Sequence, residues 1–168
     1  PDSLEKYIGQ LINDNSQVLA DGQRKQYIDV NNDGNSEEFI YYHLSDNRQP
    51  IVNQYSHEGV LQNSWNLEGE IVENFDFIWG DSNRDTLIEV FVFTKTRNKL
   101  YLYELVPKSI QGATVEKIEI CSFSNEVSNS RLIIHSGGMA DLNKDGFNEV
   151  IFSVNSRFSS TPRRVFAY

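Results

Sequence analysis

The spacing of apolar residues changes once along this chain. Over residues 3–13, SLEKYIGQLIN, Leu4, Tyr7, Ile8, Leu11 and Ile12 fall at i, i+3, i+4, i+7 and i+8, the period of an amphipathic helix. Asp2 and Glu5 stand where a capping box would close its first turn. Residues 14–25 are polar and read as loop. From Gln26 onward the apolar runs are short, β-branched and aromatic, and they read as strands.

The predicted strands fall into units. QYIDV and EEFIYYHL come first, then QPIVNQYS and VLQNSWNL around a turn at HEG. FDFIW and LIEVFVFT open a second unit, followed by RNKLYLYELV and ATVEKIEICSF. RLIIHSGGMADL, NEVIFSV and RRVFAY form a third, with no fourth strand. The runs FIYY, VFVF and VIF are nearly continuous in apolar residues, which predicts strands covered on both faces. The expected division is a helix and loop at 1–25, then units at 26–74, 75–127 and 128–168.

The same nine-residue phrase joins the first two strands of every unit: DVNNDGNSE, DSNRDTLIE and DLNKDGFNE. Its copies begin at Asp29, Asp81 and Asp141, so they are 52 and then 60 residues apart. Repetition at this period is the mark of a repeat architecture. Positions 1, 3 and 5 supply side-chain oxygen: Asp29, Asn31 and Asp33; Asp81, Asn83 and Asp85; Asp141, Asn143 and Asp145. Position 9 adds Glu37, Glu89 or Glu149, and position 7 (Asn35, Leu87, Phe147) offers a backbone carbonyl. Hard oxygen donors without His or Cys suit Ca²⁺, which takes about 6–8 of them. An EF-hand loop fits poorly, because it is about twelve residues long and leads into a helix. Asp-Asn-Gly clusters also make plain turns, but three copies with the acids in register favour ligation. Gly34 and Gly146 stand at position 6, where a sharp turn calls for positive φ; the second copy has Thr86 there. The Asp81–Glu89 loop is therefore expected to bind most weakly or to turn differently.

Composition narrows the classes. The net charge is −9, and three bound Ca²⁺ would bring it to −3, so much of the acidity reads as counter-charge for metal. So acidic a chain is a poor nucleic-acid binder. No apolar stretch approaches the roughly 20 residues that span a bilayer. PDSLEKYIG lacks the basic start and apolar middle of a signal peptide, which reads as either a cytoplasmic chain or one that begins after a removed signal. The single cysteine, Cys121, excludes an intramolecular disulfide and reads as a small buried strand residue. His43, His57 and His135 are scattered, and no catalytic signature such as a nucleophile elbow, HExxH or a phosphate loop is present.

The loops resemble those of the FG-GAP or VCBS repeats, the β-propeller blades of integrin α-subunit heads, over roughly residues 26–168. DLNKDGFNEV is the best copy and DVNNDGNSEE is close, while DSNRDTLIEV departs at the glycine. SGGMAD is the nearest counterpart of the tripeptides that name the family. The resemblance implies an all-β chain of four-stranded antiparallel blades, each holding Ca²⁺ between its first two strands. About 2.75 blades would be present, a partial or open propeller preceded by the short helix. Its open strand edges would pair with further blades or with a second chain. In flavour the chain is closest to bacterial extracytoplasmic propellers: periplasmic, cell-surface or secreted. The expected role is a non-catalytic module that binds or senses a protein or carbohydrate ligand, with up to three structural Ca²⁺ and with Trp65, Trp79 and Phe158 as candidate ligand contacts. The alternatives are part of a secreted carbohydrate-active enzyme, which needs acids free of metal, and an integrin-like adhesion module.

Overall fold

The computed structural model describes residues 23–43, 48–72, 75–107, 114–123, 132–155 and 163–168. Within them the chain is all-β, built as three antiparallel sheets, none closed on itself. The helix expected over residues 3–13 lies outside the described residues.

The first sheet is a simple meander of β1 (Arg24–Ile28), β2 (Glu37–His43), β3 (Pro50–Tyr55) and β4 (Leu61–Asn66). The expected HEG turn joins β3 to β4 through Ser56 and Val60. The second sheet follows the order β5-β7-β8-β9, from β5 (Glu70–Ile71), β7 (Glu89–Lys95), β8 (Lys99–Val106) and β9 (Thr114–Ser122). A further strand, β6 (Ile78–Gly80), also pairs with β7. The third sheet runs β10 (Ile133–Ala140), β11 (Glu149–Asn155) and β12 (Arg163–Ala167).

The pairing of β7 corrects one sequence expectation. A single strand, FDFIW, was expected beside it. Instead β6 covers the loop end of β7, from Glu89 to Phe91, and β5 covers the far end at Thr94 and Lys95. Phe75 and Phe77 leave the ladder between these two short strands and fill the interior with their rings. The short apolar run carried no signal to separate a ladder strand from irregular core packing.

One apolar core runs through all three sheets. Tyr41 of β2 meets Phe75 edge-on at 5.5 Å, and Phe75 meets Phe93 of β7 at 5.5 Å. Phe93 meets Phe152 of β11 at 4.9 Å, and Phe152 stacks on Phe166 of β12 at 5.3 Å. Such aromatic pairs each contribute about 0.5–1.5 kcal/mol beyond the area they bury. The Tyr41 hydroxyl, buried with its proton held well above the ordinary range by desolvation, donates to the Phe93 carbonyl at 2.7 Å and ties the first sheet to the second. On its other face the first sheet carries a separate buried cluster of Ile40, Tyr42, Ile51 and Tyr55, with Asn53 donating to both tyrosine hydroxyls at 3.1 Å.

β2 and β7 are buried on both faces, as their apolar runs predict. β11 is not: Val150, Phe152 and Val154 are buried, and the residues between them are half-exposed. The run VIF predicts cover on both sides, and the structure gives it on one. The third sheet has a neighbour on one side only among the described residues, and alternate side chains of a strand point to opposite faces.

Candidate functional site

Each nine-residue phrase folds into the same loop, held by the same three bonds. First, the position-5 N–H donates to the position-3 Asn Oδ1: Asp33 to Asn31 at 3.0 Å, Asp85 to Asn83 at 2.9 Å, Asp145 to Asn143 at 2.8 Å. Second, the position-7 N–H donates to the position-5 carboxylate: Asn35 to Asp33 at 2.7 Å, Leu87 to Asp85 at 2.9 Å, Phe147 to Asp145 at 2.9 Å. Third, the position-2 N–H donates to the position-9 carboxylate: Val30 to Glu37 at 3.1 Å, Ser82 to Glu89 at 2.8 Å, Leu142 to Glu149 at 2.7 Å. Asn and Asp are suited to this, because their short side chains bond backbone groups two residues on. The pattern Asp-x-Asn-x-Asp is thus a sequence of local turns as well as a series of oxygen donors.

The first acid of each loop clamps the turn in two of the three. Asp29 accepts from Asp33 N at 3.1 Å and Gly34 N at 2.9 Å. Asp81 accepts from Arg84 N at 2.6 Å and Thr86 N at 3.0 Å. In the third loop Asp141 Oδ1 is buried and has no partner.

All three loops turn through the left-handed region at positions 4 and 6. Position 4 is Asn32 (φ 56°), Arg84 (65°) or Lys144 (64°), and position 6 is Gly34 (89°), Thr86 (72°) or Gly146 (94°). The second loop therefore makes the expected turn rather than a different one. A β-branched residue holds a conformation that costs on the order of 1–3 kcal/mol. The positive φ at position 4 was missed, since nothing in Asn, Arg or Lys marks it beyond the modest tolerance of Asn.

The position-9 carboxylates are the anchors. Glu37 and Glu89 are buried, where an unpaired charge would be costly, and each is met by a backbone N–H. Asp33 is fully exposed, and the Asn35 N–H followed by the Asn31 amide holds its carboxyl below the usual range.

The third loop differs from the other two in how its acids are engaged. The Asn143 amide nitrogen donates to Asp145 Oδ2 at 2.9 Å and to Glu149 Oε1 at 2.8 Å, so two carboxylates converge on one electropositive point. Asp141 Oδ1, at the start of the same loop, is buried without a hydrogen-bond partner and leaves one oxygen unused. In the first loop Asn31 Nδ2 reaches Asp33 at 3.0 Å, and in the second Asn83 Nδ2 reaches Glu89 at 3.3 Å. Among the described residues no group of three or more His, Cys, Asp or Glu is close enough to hold a metal by itself. Any ion would draw on the Asn oxygens and on the position-7 carbonyls of Asn35, Leu87 and Phe147 as well.

The loops stand side by side with a repeated stagger. Position 8 of one loop reaches back to the start of the loop before it. Ile88 N donates to Val30 O at 3.0 Å, and Asn148 Nδ2 donates to Asp81 O at 2.9 Å. Position 4 reaches forward to position 6 of the next loop. Asn32 Nδ2 donates to Thr86 O at 3.1 Å, and the Arg84 guanidinium fills the space a Cβ on Gly146 would need, lying over the Phe147 ring. Below them Gly80 of β6 lies against the Met139 thioether of β10.

The remaining candidates separate. Trp65 is buried and stacks on Phe39 at 6.4 Å, which makes it a core residue, whereas Trp79 is 42% exposed beside the second loop. Phe158 lies outside the described residues. Cys121 is half-buried opposite an irregularity in β8, and burial pushes its thiol up to about 11, far from a reactive thiolate. His43 ends β2, His57 sits in an exposed turn beside Glu58, and His135 is exposed on β10. Among the described residues no helix is long and apolar enough to cross a membrane.

Comparison with protein-family models, with curated proteins and with solved structures finds no match.

Proposed function

We propose that the three loops bind Ca²⁺ and that the chain is a calcium-stiffened stack of FG-GAP/VCBS-like propeller blades. On this reading it is a non-catalytic module that binds or senses an extracytoplasmic ligand. The observation that carries the reading is the threefold recurrence of one loop scaffold, with acids at positions 1, 5 and 9 and Asn at position 3, at one end of three adjacent sheets. The turn uses the Asn at position 3 and the acids at positions 5 and 9, and in two copies the acid at position 1; in the third copy Asp141 Oδ1 serves no bond of the loop and is the oxygen a cation would take. Up to three ions would be held by Asp29, Asn31, Asp33, Asn35 and Glu37, by the Asp81–Glu89 set, and by the Asp141–Glu149 set. Each ion would neutralise carboxylates that otherwise repel one another. The metal's role is structural, and the exposed Trp79 beside the row is the aromatic a protein or carbohydrate ligand would meet.

Calcium that binds only the folded loops raises stability by mass action, by about 2.7 kcal/mol per site at a hundredfold excess over Kd. Thermal unfolding in EDTA and in millimolar Ca²⁺ measures this, with Asp33→Ala, Asp85→Ala and Asp145→Ala assigning the sites. We expect a clear rise in Tm with calcium, lost in largest part with Asp145→Ala. Identical curves in EDTA and calcium would end the reading.

A further inference from the structure

We propose that residues 3–13 of this chain dock as a helix on the outer face of the first sheet, lying along β2 and β3. That face is closed, and among the described residues its apolar cluster contains side chains of β2 and β3 alone. Ile40, Tyr42, Ile51 and Tyr55 are 1%, 7%, 6% and 8% exposed. Side chains stand roughly perpendicular to a sheet, so a face with no layer above it leaves their tips in water. The cover therefore comes from a segment outside the described residues.

The pattern of exposure gives the cover its dimensions. Lys25 and Tyr27 on β1, and Leu61, Ser64 and Asn66 on β4, share this face and are exposed. Only the two central strands are closed, from Glu38 to Tyr42 and from Ile51 to Tyr55, or about 14 Å along the strands. A helix about 10–12 Å across covers two strands about 4.8 Å apart, and one spanning residues 3–13 is about 16 Å long. The polar groups of the face need nothing from the cover. Asn53 donates to the Tyr42 and Tyr55 hydroxyls at 3.1 Å, and the Ser64 hydroxyl donates to Asn53 Oδ1 at 2.7 Å. Glu38 accepts from the Lys25 ammonium and the Tyr27 hydroxyl, both at 2.9 Å. The surface left for an occupant is apolar.

Residues 3–13 carry the matching stripe. Leu4, Tyr7, Ile8, Leu11 and Ile12 fall on one side of the helical period, with Glu5, Lys6, Gln10 and Asn13 outside it. The internal segments outside the described residues, 44–47, 73–74, 108–113, 124–131 and 156–162, are each eight residues or fewer, too short to make such a helix. Residues 14–23 then lead straight into Arg24 of β1, the neighbour of β2. Ten residues of chain reach up to about 35 Å, so the tether allows docking anywhere along this face. Left open, the face would be an apolar patch available for association. The contact uses no residue of the acidic loops, so it stands apart from the calcium reading and is tested in EDTA and in calcium alike.

Nuclear Overhauser contacts in the full chain test the docking. The ring protons of Tyr42 and Tyr55 should show contacts to methyl groups of Ile8, Leu11 or Ile12. A mixture of labelled and unlabelled chains should show that these contacts lie within one chain. Ile8→Asp with Leu11→Asp should abolish them and lower Tm by at least about 5 °C. Gln10→Asp with Asn13→Asp adds the same charge on the polar side, and should keep the contacts and shift Tm by less than about 2 °C. No contact between the two rings and residues 3–13, contacts from the rings to another segment, contacts made only between chains, or equal losses of Tm in the two double variants would each overturn the proposal.

Discussion

β7 and β11 follow the same acidic loop and open on the same Glu-Val pair, yet they occupy different surroundings. Every residue of β7 is buried, including Thr94 and Lys95; β11 is buried only at alternate positions. The second sheet lies between two others, with Phe93 touching Phe75 on the way to Tyr41 and Phe152 on the third sheet. The third sheet has such a neighbour on one side only among the described residues. Burial on both faces is a property of position in the stack, and strands of similar composition take whichever burial their neighbours give them.

The largest test of this contrast compares Phe93→Ala with Ile151→Ala. The first removes a ring held by two others in the middle of the shared core and should cost about 3–5 kcal/mol. The second shortens a half-exposed side chain on the outer face and should cost about 1 kcal/mol. Urea unfolding at equilibrium measures both. Equal costs would mean that the outer face of the third sheet is covered in solution.

Much of this arrangement was legible in the residues. The strands flanking each loop, the HEG turn and the turn at Thr96–Asn98 follow from apolar runs and turn chemistry. The loop scaffold follows from Asp and Asn at odd positions. What could not be read is what depends on neighbours. Nothing in VIF separates it from VFVF, and nothing in FDFIW shows that two of its aromatics leave the ladder. The stagger between loops was hidden for the same reason. Asn32 and Arg84 at position 4 share no type, nor do Ile88 and Asn148 at position 8, and each pair's common role exists only once the loops stand side by side. The third acid at position 9 read as a ligand; the structure gives it a second task, pinning the start of its own loop.

The loops of these two sheets sharpen the comparison at smaller scale. Both turn at positive φ at position 6, one with Thr86 and one with Gly146. Gly146→Ala adds backbone strain and drives a Cβ into the Arg84 guanidinium, so it should destabilise by about 1–3 kcal/mol. Thr86→Gly relieves strain while loosening the unfolded chain, and should stabilise by no more than about 1 kcal/mol. On the calcium reading it should also tighten binding at the second loop, which isothermal titration reads directly. A Thr86→Gly variant less stable than the parent would show that the threonine is held by contacts worth more than its backbone strain.

The smallest expected effect comes from a carboxyl that only the second sheet has. Glu104 of β8 stands opposite Phe91 and Glu116, where the third sheet places Ala167 opposite Ile151. Burial first, then the charges of Glu89 and Glu116, raise its pKa above the ordinary 4.5. A raised carboxyl binds its proton more tightly in the folded chain than in the unfolded one. Stability therefore falls as pH rises from about 4.5 through the folded value, and the penalty persists at neutral pH. Glu104→Gln removes the charge and keeps the shape, so it should raise Tm slightly at pH 7 in EDTA, with the gain shrinking as the pH is lowered toward 4.5. Like charges directly across a ladder are destabilising, so Glu116→Gln should give part of the same gain by relieving Glu104. A gain that is flat with pH, or a loss at pH 7, would mean that the Glu104 carboxylate is compensated in the folded chain and that this difference between the two sheets carries no electrostatic strain.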